Sequence, residues 1–441
     1  MGKWNRAGWS LIATIMLWGS LILLLNACEF SASPPTPPTG APTDTPTLPR
    51  ATPLPTERTP PPPSVITLTL WTIETLSPTQ VMTSGQLVAQ QLATFQGSHP
   101  DVRLKFVRKK PYGKGGILDY LLTTEAVVPH LLPDLVTIDE DELGTAVQRG
   151  LVQPLDMLLP PDLIADLYPF AQQAGTFDGR LYGLLFQADL DHGVYHTHQF
   201  SSPPASWSDV LSASLPYLLP AGGQAGLVHD SLLIDYLAVS QWSEDRSEEA
   251  FWDLESLVEV LRFYRDGVAR GVFPPRILDY HSTDQTCRDY LAGQGALAQV
   301  SAHCYLTEWN RAPDSAPVPI PSRDGPAAAI GRGWAWAVVA SDPTRQSLAA
   351  EWIVQWMEPE LNAAWNRATG YLPARQSALT MHEEMEEYRT FLHQQLLAAQ
   401  PRPRLPNYAR VAAALQKAVE AVITGAMTPE EAAAQVMKET P

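Results

Sequence analysis

Positive charge and cysteine are what this sequence has least of. It carries 30 Lys and Arg against 47 Asp and Glu, a formal net charge of −17. Affinity for a polyanion comes from clustered basic side chains, so no nucleic-acid partner is expected. Three cysteines in 441 residues are too few for a disulfide scaffold and lack metal-type spacing. A Walker A loop, an HExxH pair, a GxSxG elbow, a GxGxxG turn after a strand and an EF-hand loop are also absent. His382-Glu383-Glu384-Met385-Glu386 opens like a zincin motif but has no second histidine. The expectation is therefore a protein without cofactor or bound metal and not an enzyme. A glycosidase stays open as the alternative, because it needs only two acids at a set distance in space.

The N-terminal residues read as an address. Lys3 and Arg6 precede 18 uncharged residues, Gly8 to Leu25, and Leu25-Asn26-Ala27-Cys28 follows at once. This is the pattern of an export signal over residues 1–28. Its last four residues resemble a bacterial lipobox, which implies cleavage before Cys28, lipid on its sulfur and anchorage to the outer face of the cell membrane. The alternative is an uncleaved anchor, since a run of about 18 apolar residues is near the lower limit for spanning a bilayer. Both readings put the remainder outside the cytoplasm. Residues 29–64 are dominated by Pro, Thr and Ser. Such a composition buries no core and favours extended polyproline backbone, a stalk with a reach on the order of 100 Å.

From Val65 strand and helix signals alternate. Val65 to Trp71 is a β-rich run, Val88, Leu92 and Phe95 recur at helical spacing, and Val102, Leu104 and Phe106 alternate with Arg103 and Lys105. A helical stretch at 117–122 leads to a third strand, Asp134 to Ile138. Asp139 and Glu142 then read as a capping box for a helix that Gly150 ends. The order βαβαβα predicts a mostly parallel sheet covered by helices. Ligands of such sheets bind beyond the carboxyl ends of strands, which makes Trp71, Asp139 and Glu140 candidates. Later segments are richer in helix. Asp342-Pro343 caps a helix carrying Leu348, Trp352, Ile353 and Trp356, and Val411, Leu415, Val419 and Val422 share a face near the end.

Four further groups have two readings each. His192, His196 and His198 fall on alternate strand positions near Asp189 and Asp191, either as metal ligands or, more plainly, as solvent-facing strand residues. The basic run Arg103, Lys105, Arg108, Lys109, Lys110 and Lys114 either meets an anionic surface or keeps a strand edge from aggregating. Once Cys28 is lipidated, Cys287 and Cys304 remain as a pair in an oxidising compartment, bridged or as buried thiols. Trp252, Trp352, Trp356 and Trp365 fit a core, whereas Trp71, Trp242, Trp309, Trp334 and Trp336 lie near strand ends and loops, where an aromatic face can stack on a sugar.

Taken in order, eight segments carry a resemblance. They are Leu68-Thr69-Leu70-Trp71, the Phe95 to Val102 junction, Pro133-Asp134-Leu135-Val136 with Asp139, Gly150-Leu151-Val152-Gln153-Pro154-Leu155, Phe177-Asp178-Gly179-Arg180-Leu181-Tyr182-Gly183-Leu184, Pro203-Pro204-Ala205-Ser206-Trp207, Gly331-Arg332-Gly333-Trp334 and Gly370-Tyr371-Leu372-Pro373-Ala374-Arg375. From Val65 to about Ala434 the chain resembles the extracellular solute-binding proteins of bacterial ATP-binding cassette importers, the family that includes maltose-binding protein.

The resemblance implies an α/β, two-lobed, periplasmic-binding-protein-like fold of type II, with a hinge and a cleft between the lobes. It implies one lobe from residues 65–186 and 296–338 and the other from 187–295 and 339–441. Carried onto matching positions, it makes Trp71, Asp139, Glu140, Gln187, Asp189, Trp334, Tyr371 and Arg375 the ligand-binding candidates. The implied partners are a small-molecule solute, a sugar or oligosaccharide, and the membrane permease of the importer. The implied protein is a monomer. A non-sugar solute or a sensory role is the alternative, and an anionic solute would need Arg332 and Arg375.

Overall fold

The computed structural model describes residues 65–223, 228–240, 251–381, 385–404 and 408–439. The export signal, Cys28, the stalk, Trp242 and most of the His382–Glu386 motif lie outside them. Three parallel strands, β1 (Ile66–Thr72), β2 (Val102–Arg108) and β3 (Leu135–Asp139), open the fold with β1 in the middle. Leu68 and Leu70 of β1 and Val102 and Leu104 of β2 are buried, whereas Arg103 and Lys105 are exposed, as a pleat with one covered face requires. β2 ends the sheet, so Arg103, Lys105 and Arg108 of the basic run stand on an edge strand, where charge discourages pairing with another chain. A small hairpin, β4 (Thr176–Phe177) and β5 (Arg180–Leu181), turns through Asp178 and Gly179 at φ 48° and 73°, the positive angles that an Asp-Gly turn supplies.

β6 (Leu184–His196) runs for 13 residues and belongs to two neighbourhoods. Its first half pairs with β10 (Gly331–Val338), and its second half pairs with β8 (Leu297–Ser301) and β9 (Ser315–Val318). β7 (Tyr217–Leu218) completes an eight-stranded sheet in the order β2-β1-β3-β10-β6-β8-β7, with β9 beside β6. The sheet is mixed. Parallel pairing holds among β1, β2 and β3 and between β7 and β8, but β10 is antiparallel to both β3 and β6.

Two hydrophobic cores flank this junction. The first gathers buried residues from Leu68 to Leu190 and from Trp334 to Ala399, with Ala302 and Ala329, and the second gathers most of those from Val194 to Val300, from Val318 to Ile330 and from Val411 to Val436. The cores divide the chain differently from the expected lobe boundaries. Strands β8 and β9 belong with the second core because they pair with the far half of β6, although Ala302 between them packs in the first. Residues 339–399 belong with the first, because Trp352, Trp356 and Trp365 pack around Trp336 and Phe186 at ring separations of 5.3 to 6.5 Å. Trp336 is thus fully buried in this cluster rather than placed for stacking on a ligand.

Among the described residues the chain passes between the cores in three places. β6 is one crossing and the segment leading into β10 another. The third is the stretch after helix Glu386–Ala398, where Gln400 exchanges backbone hydrogen bonds with Ala329 and Gly331 at 3.0 and 2.9 Å. Cys287, on helix Thr283–Leu291, and Cys304, on helix Ala302–Glu308, are joined by a disulfide with a Cα–Cα separation of 6.7 Å.

Candidate functional site

A cavity of ≈ 750 Å³ opens between the two cores. That is within the 300 to 1,000 Å³ typical of small-molecule sites. Its first wall is built by the end of β3. Asp139 leaves the strand and caps helix Glu140–Gln148, its carboxylate accepting the Asp141 amide at 3.0 Å. The helix stops at Arg149, before Gly150 at φ 66°. Tyr112 donates its hydroxyl to Asp139 Oδ2 at 2.7 Å. The expected capping box is not formed: Asp139 accepts the Asp141 amide and not that of Glu142, and Glu142 Oε2 is buried with no hydrogen-bond partner among the described residues.

Four consecutive acids at a helix start repel one another, although the amino-terminal end of the helix dipole relieves part of that cost. Burial first, and the neighbouring Asp141 second, push Asp139 up to about 6. Burial together with Asp139 and Asp141 pushes Glu142 up to about 7. Glu140 is held well above the usual carboxylate range by burial, then by Asp141 and Asp139. It is only 7% exposed, and neither of its carboxylate oxygens has a hydrogen-bond partner among the described residues.

The hinge forms the back of the cavity. Arg332 of β10 stands opposite Asp189 of β6 in the strand register. Its guanidinium donates to both oxygens of Asp191 at 2.8 and 3.0 Å, lies 3.5 Å from Asp189 and is also paired with Asp230. Burial opposes the arginine's charge, but Asp191 and Asp230 outweigh it and hold Arg332 above its ordinary value. Asp189 is pushed up to about 6 by burial, with Arg332 opposing.

The far wall comes from the second core. Asp230 begins helix Asp230–Val239, and the preceding His229 caps it, Nδ1 accepting the Leu232 amide at 3.1 Å. Burial lowers His229 to about 4, so the ring is neutral and its proton must sit on Nε2. That nitrogen is buried and has no partner among the described residues. Arg402, from the third crossing, reaches Asp230 at 2.5 Å and Asp141 at 3.3 Å, linking the two walls. His303 and Tyr371 stack on each other at 4.2 Å, and both line the cavity.

Of the eight candidates, Asp139, Glu140, Asp189 and Tyr371 line the cavity. The other four are outside its lining, for separate reasons. Trp71 is buried in the first core, in edge contact with Tyr120 and beneath the Lys109 ammonium at 4.4 Å. Gln187 and Trp334 face each other in the β6–β10 register and are both buried, Trp334 one layer back behind Tyr112 at 5.6 Å. Arg375 is occupied in the first lobe by Asp166 at 2.7 Å and by the Met357 carbonyl. His192 is also accounted for. It is buried, donates Nδ1 to the Gly193 carbonyl at 2.7 Å, and its Nε2 accepts from the Tyr388 hydroxyl at 2.8 Å. No group of three or more His, Cys, Asp or Glu side chains is arranged to hold a metal ion among the described residues.

The family model of the bacterial extracellular solute-binding protein matches residues 90–391. The chain belongs to this family. The fold of this solute-binding protein is shared with the cyclic alpha-maltosyl-1,6-maltose binding protein from Arthrobacter globiformis, at a TM-score of 0.68 and 19% identity, covering 85% of this chain and 98% of that one. Among curated relatives, the maltotriose-binding protein of Pyrococcus abyssi is 23% identical over 141 residues, 31% of each chain. The sn-glycerol-3-phosphate-binding periplasmic protein of Yersinia enterocolitica is 26% identical over 157 residues, 33% of this chain and 35% of its own. The solute-binding protein thus matches about a third of the length of these relatives.

Proposed function

We propose that this chain is a lipid-anchored extracytoplasmic receptor that holds a carbohydrate-like cargo between its lobes and delivers it to the permease of an ATP-binding cassette importer. The observation that carries this reading is a cavity walled by both cores, with the crossing strands β6 and β10 behind it. A cargo favours closure only to the extent that it binds the closed arrangement better than the open one. Groups from both walls supply that difference here. Glu140 and Tyr112 stand on one side and His229 and Asp284 on the other, so only a guest that touches both realises all of its contacts.

Sugar relatives and the polar lining support a hydroxyl-bearing cargo. An anionic solute is disfavoured, because Arg332 and Arg402 are already held by aspartates and Arg375 is engaged elsewhere. Cys28 would fix the receptor to the membrane through its lipid, with residues 29–64 as the spacer.

The test is a panel of mono- and oligosaccharides scored by melting temperature and by small-angle scattering. The expected result is a cargo-dependent rise in Tm with a smaller radius of gyration. A panel without any shift defeats the sugar reading. Turnover of a chromogenic glycoside, lost on changing Asp139 to Asn, replaces the receptor with a hydrolase.

A further inference from the structure

We infer that the cargo carries a protonated amine on a hydroxyl-bearing skeleton, that is, an amine-bearing sugar whose ammonium group docks at Glu140. The inference rests on the reading of the cavity as a cargo site and narrows its substrate class. Eight carboxylates line the cavity against two guanidinium groups. Both guanidiniums are committed to aspartates, Arg332 to Asp191 and Asp230, and Arg402 to Asp230 and Asp141. The surplus of acidic groups is therefore not answered by the protein's own cations.

Glu140 locates that surplus. Acids clustered at a helix start are ordinary on a surface, where water solvates them. Glu140 is instead 7% exposed, and both of its oxygens lack a partner among the described residues, although it borders the cavity. Arg402 and Arg332 act on it only through space. A buried carboxylate without a donor is costly, and a cation beside it removes the cost while gaining a charge-assisted hydrogen bond. Glu142, with one buried oxygen lacking a partner among the described residues, stands two residues on.

Two other features exclude a bare polyamine. The His229 Nε2–H is a buried donor with no partner among the described residues, so it calls for an acceptor, which a hydroxyl has and an ammonium lacks. The stacked His303 and Tyr371 pair lines the cavity with aromatic surface, the kind that suits the C–H face of a sugar ring. Acceptor, donor and aromatic surface together match a saccharide carrying a free amine.

The experiment is calorimetric titration of the full chain in detergent, at neutral pH, with four probes: a glucosamine trimer, its N-acetylated counterpart, maltotriose and spermidine. N-acetylation removes the charge while keeping the hydroxyls. The glucosamine trimer is expected to bind most tightly and to weaken as salt is added. Loss of one charge-assisted hydrogen bond should make Glu140→Gln bind it roughly 10- to 100-fold more weakly. The melting temperature of that variant without cargo should not fall, because Gln matches the uncharged form that burial favours and Glu140 has no hydrogen bond to lose among the described residues, and this separates lost binding from lost folding. If maltotriose or the acetylated trimer binds as tightly as the amine, the amine is overturned and the sugar receptor stands. If spermidine alone binds, the sugar reading itself is overturned. If no probe binds, the inference is overturned too.

Discussion

Asp235 separates two kinds of buried acid. It lies 1% exposed in the second lobe, where Trp207 Nε1 and the Tyr264 hydroxyl donate to it at 3.3 and 3.2 Å. Tyr217 is the other titratable group that interacts with this pair, and burial raises both tyrosines further from ionisation. Burial pushes Asp235 up to about 7, and the two donors recover only part of that shift. A raised carboxylate keeps its proton in the folded state after the unfolded chain has released it. Its contribution is therefore complete below about pH 4, shrinks as pH rises and is gone above about pH 7. The loss amounts to as much as about 4 kcal/mol at 1.36 kcal/mol per pH unit. Asp235→Asn can keep both bonds, its oxygen accepting from Trp207 and its amide donating to Tyr264. Urea denaturation should give equal stability for variant and wild type at pH 4 and a more stable variant at pH 8; parallel curves would refute the assignment. The sequence reaches some residues and not others for the same reason. Asp139 was legible because strand followed by Asp and helix is a local pattern, and so was Tyr371 through its Gly-Tyr-Leu-Pro segment. The missing partners of Glu140 and the burial of Trp336 follow from packing by distant segments, which no local spacing records.

At the scale of elements, the joint between β6 and β10 rests on one arginine among three aspartates. Such a site is stable only while complete, since removing one partner of a buried pair leaves an uncompensated charge. Arg332→Met strands Asp191, which is buried, next to Asp189, whereas Asp230 keeps Arg402. The variant should lose about 3 to 5 kcal/mol in chemical denaturation. Adding Asp191→Asn should restore part of that loss, and purely additive effects would show that the two residues are not coupled. Helix ends were the readable part of this level. Asp342 caps helix Pro343–Trp356 by accepting the Arg345 amide at 3.0 Å, and Gly150 closes the helix after β3. Lobe membership was not readable, because β8, β9 and the tryptophan helices are assigned by the strand or core they meet, not by their order in the chain. Arg402 gave no signal at all, for it sits in a Pro-Arg-Pro-Arg stretch with no periodicity.

For the whole molecule, the bridge from Asp141 through Arg402 to Asp230 is the ionic contact that ties the helix starting one wall to the helix starting the other. Leu143 and Ala146 of helix Glu140–Gln148 belong to the first core, and Leu232 and Leu233 of helix Asp230–Val239 belong to the second. A bridge of this kind exists only when the walls are near each other, so in the receptor proposed above it biases the equilibrium between open and closed lobes. Apparent affinity scales with the fraction of molecules able to close. Arg402→Met leaves Asp230 paired with Arg332 and removes the link to Asp141. If the link favours closure by about 1.4 kcal/mol, affinity for every cargo should fall about tenfold and by the same factor. The radius of gyration of the cargo-free protein should rise in small-angle scattering, while saturating cargo should return it to the wild-type value. A selective loss for one cargo would instead make Arg402 a recognition group, and unchanged scattering with unchanged affinity would mean that the bridge does not govern closure.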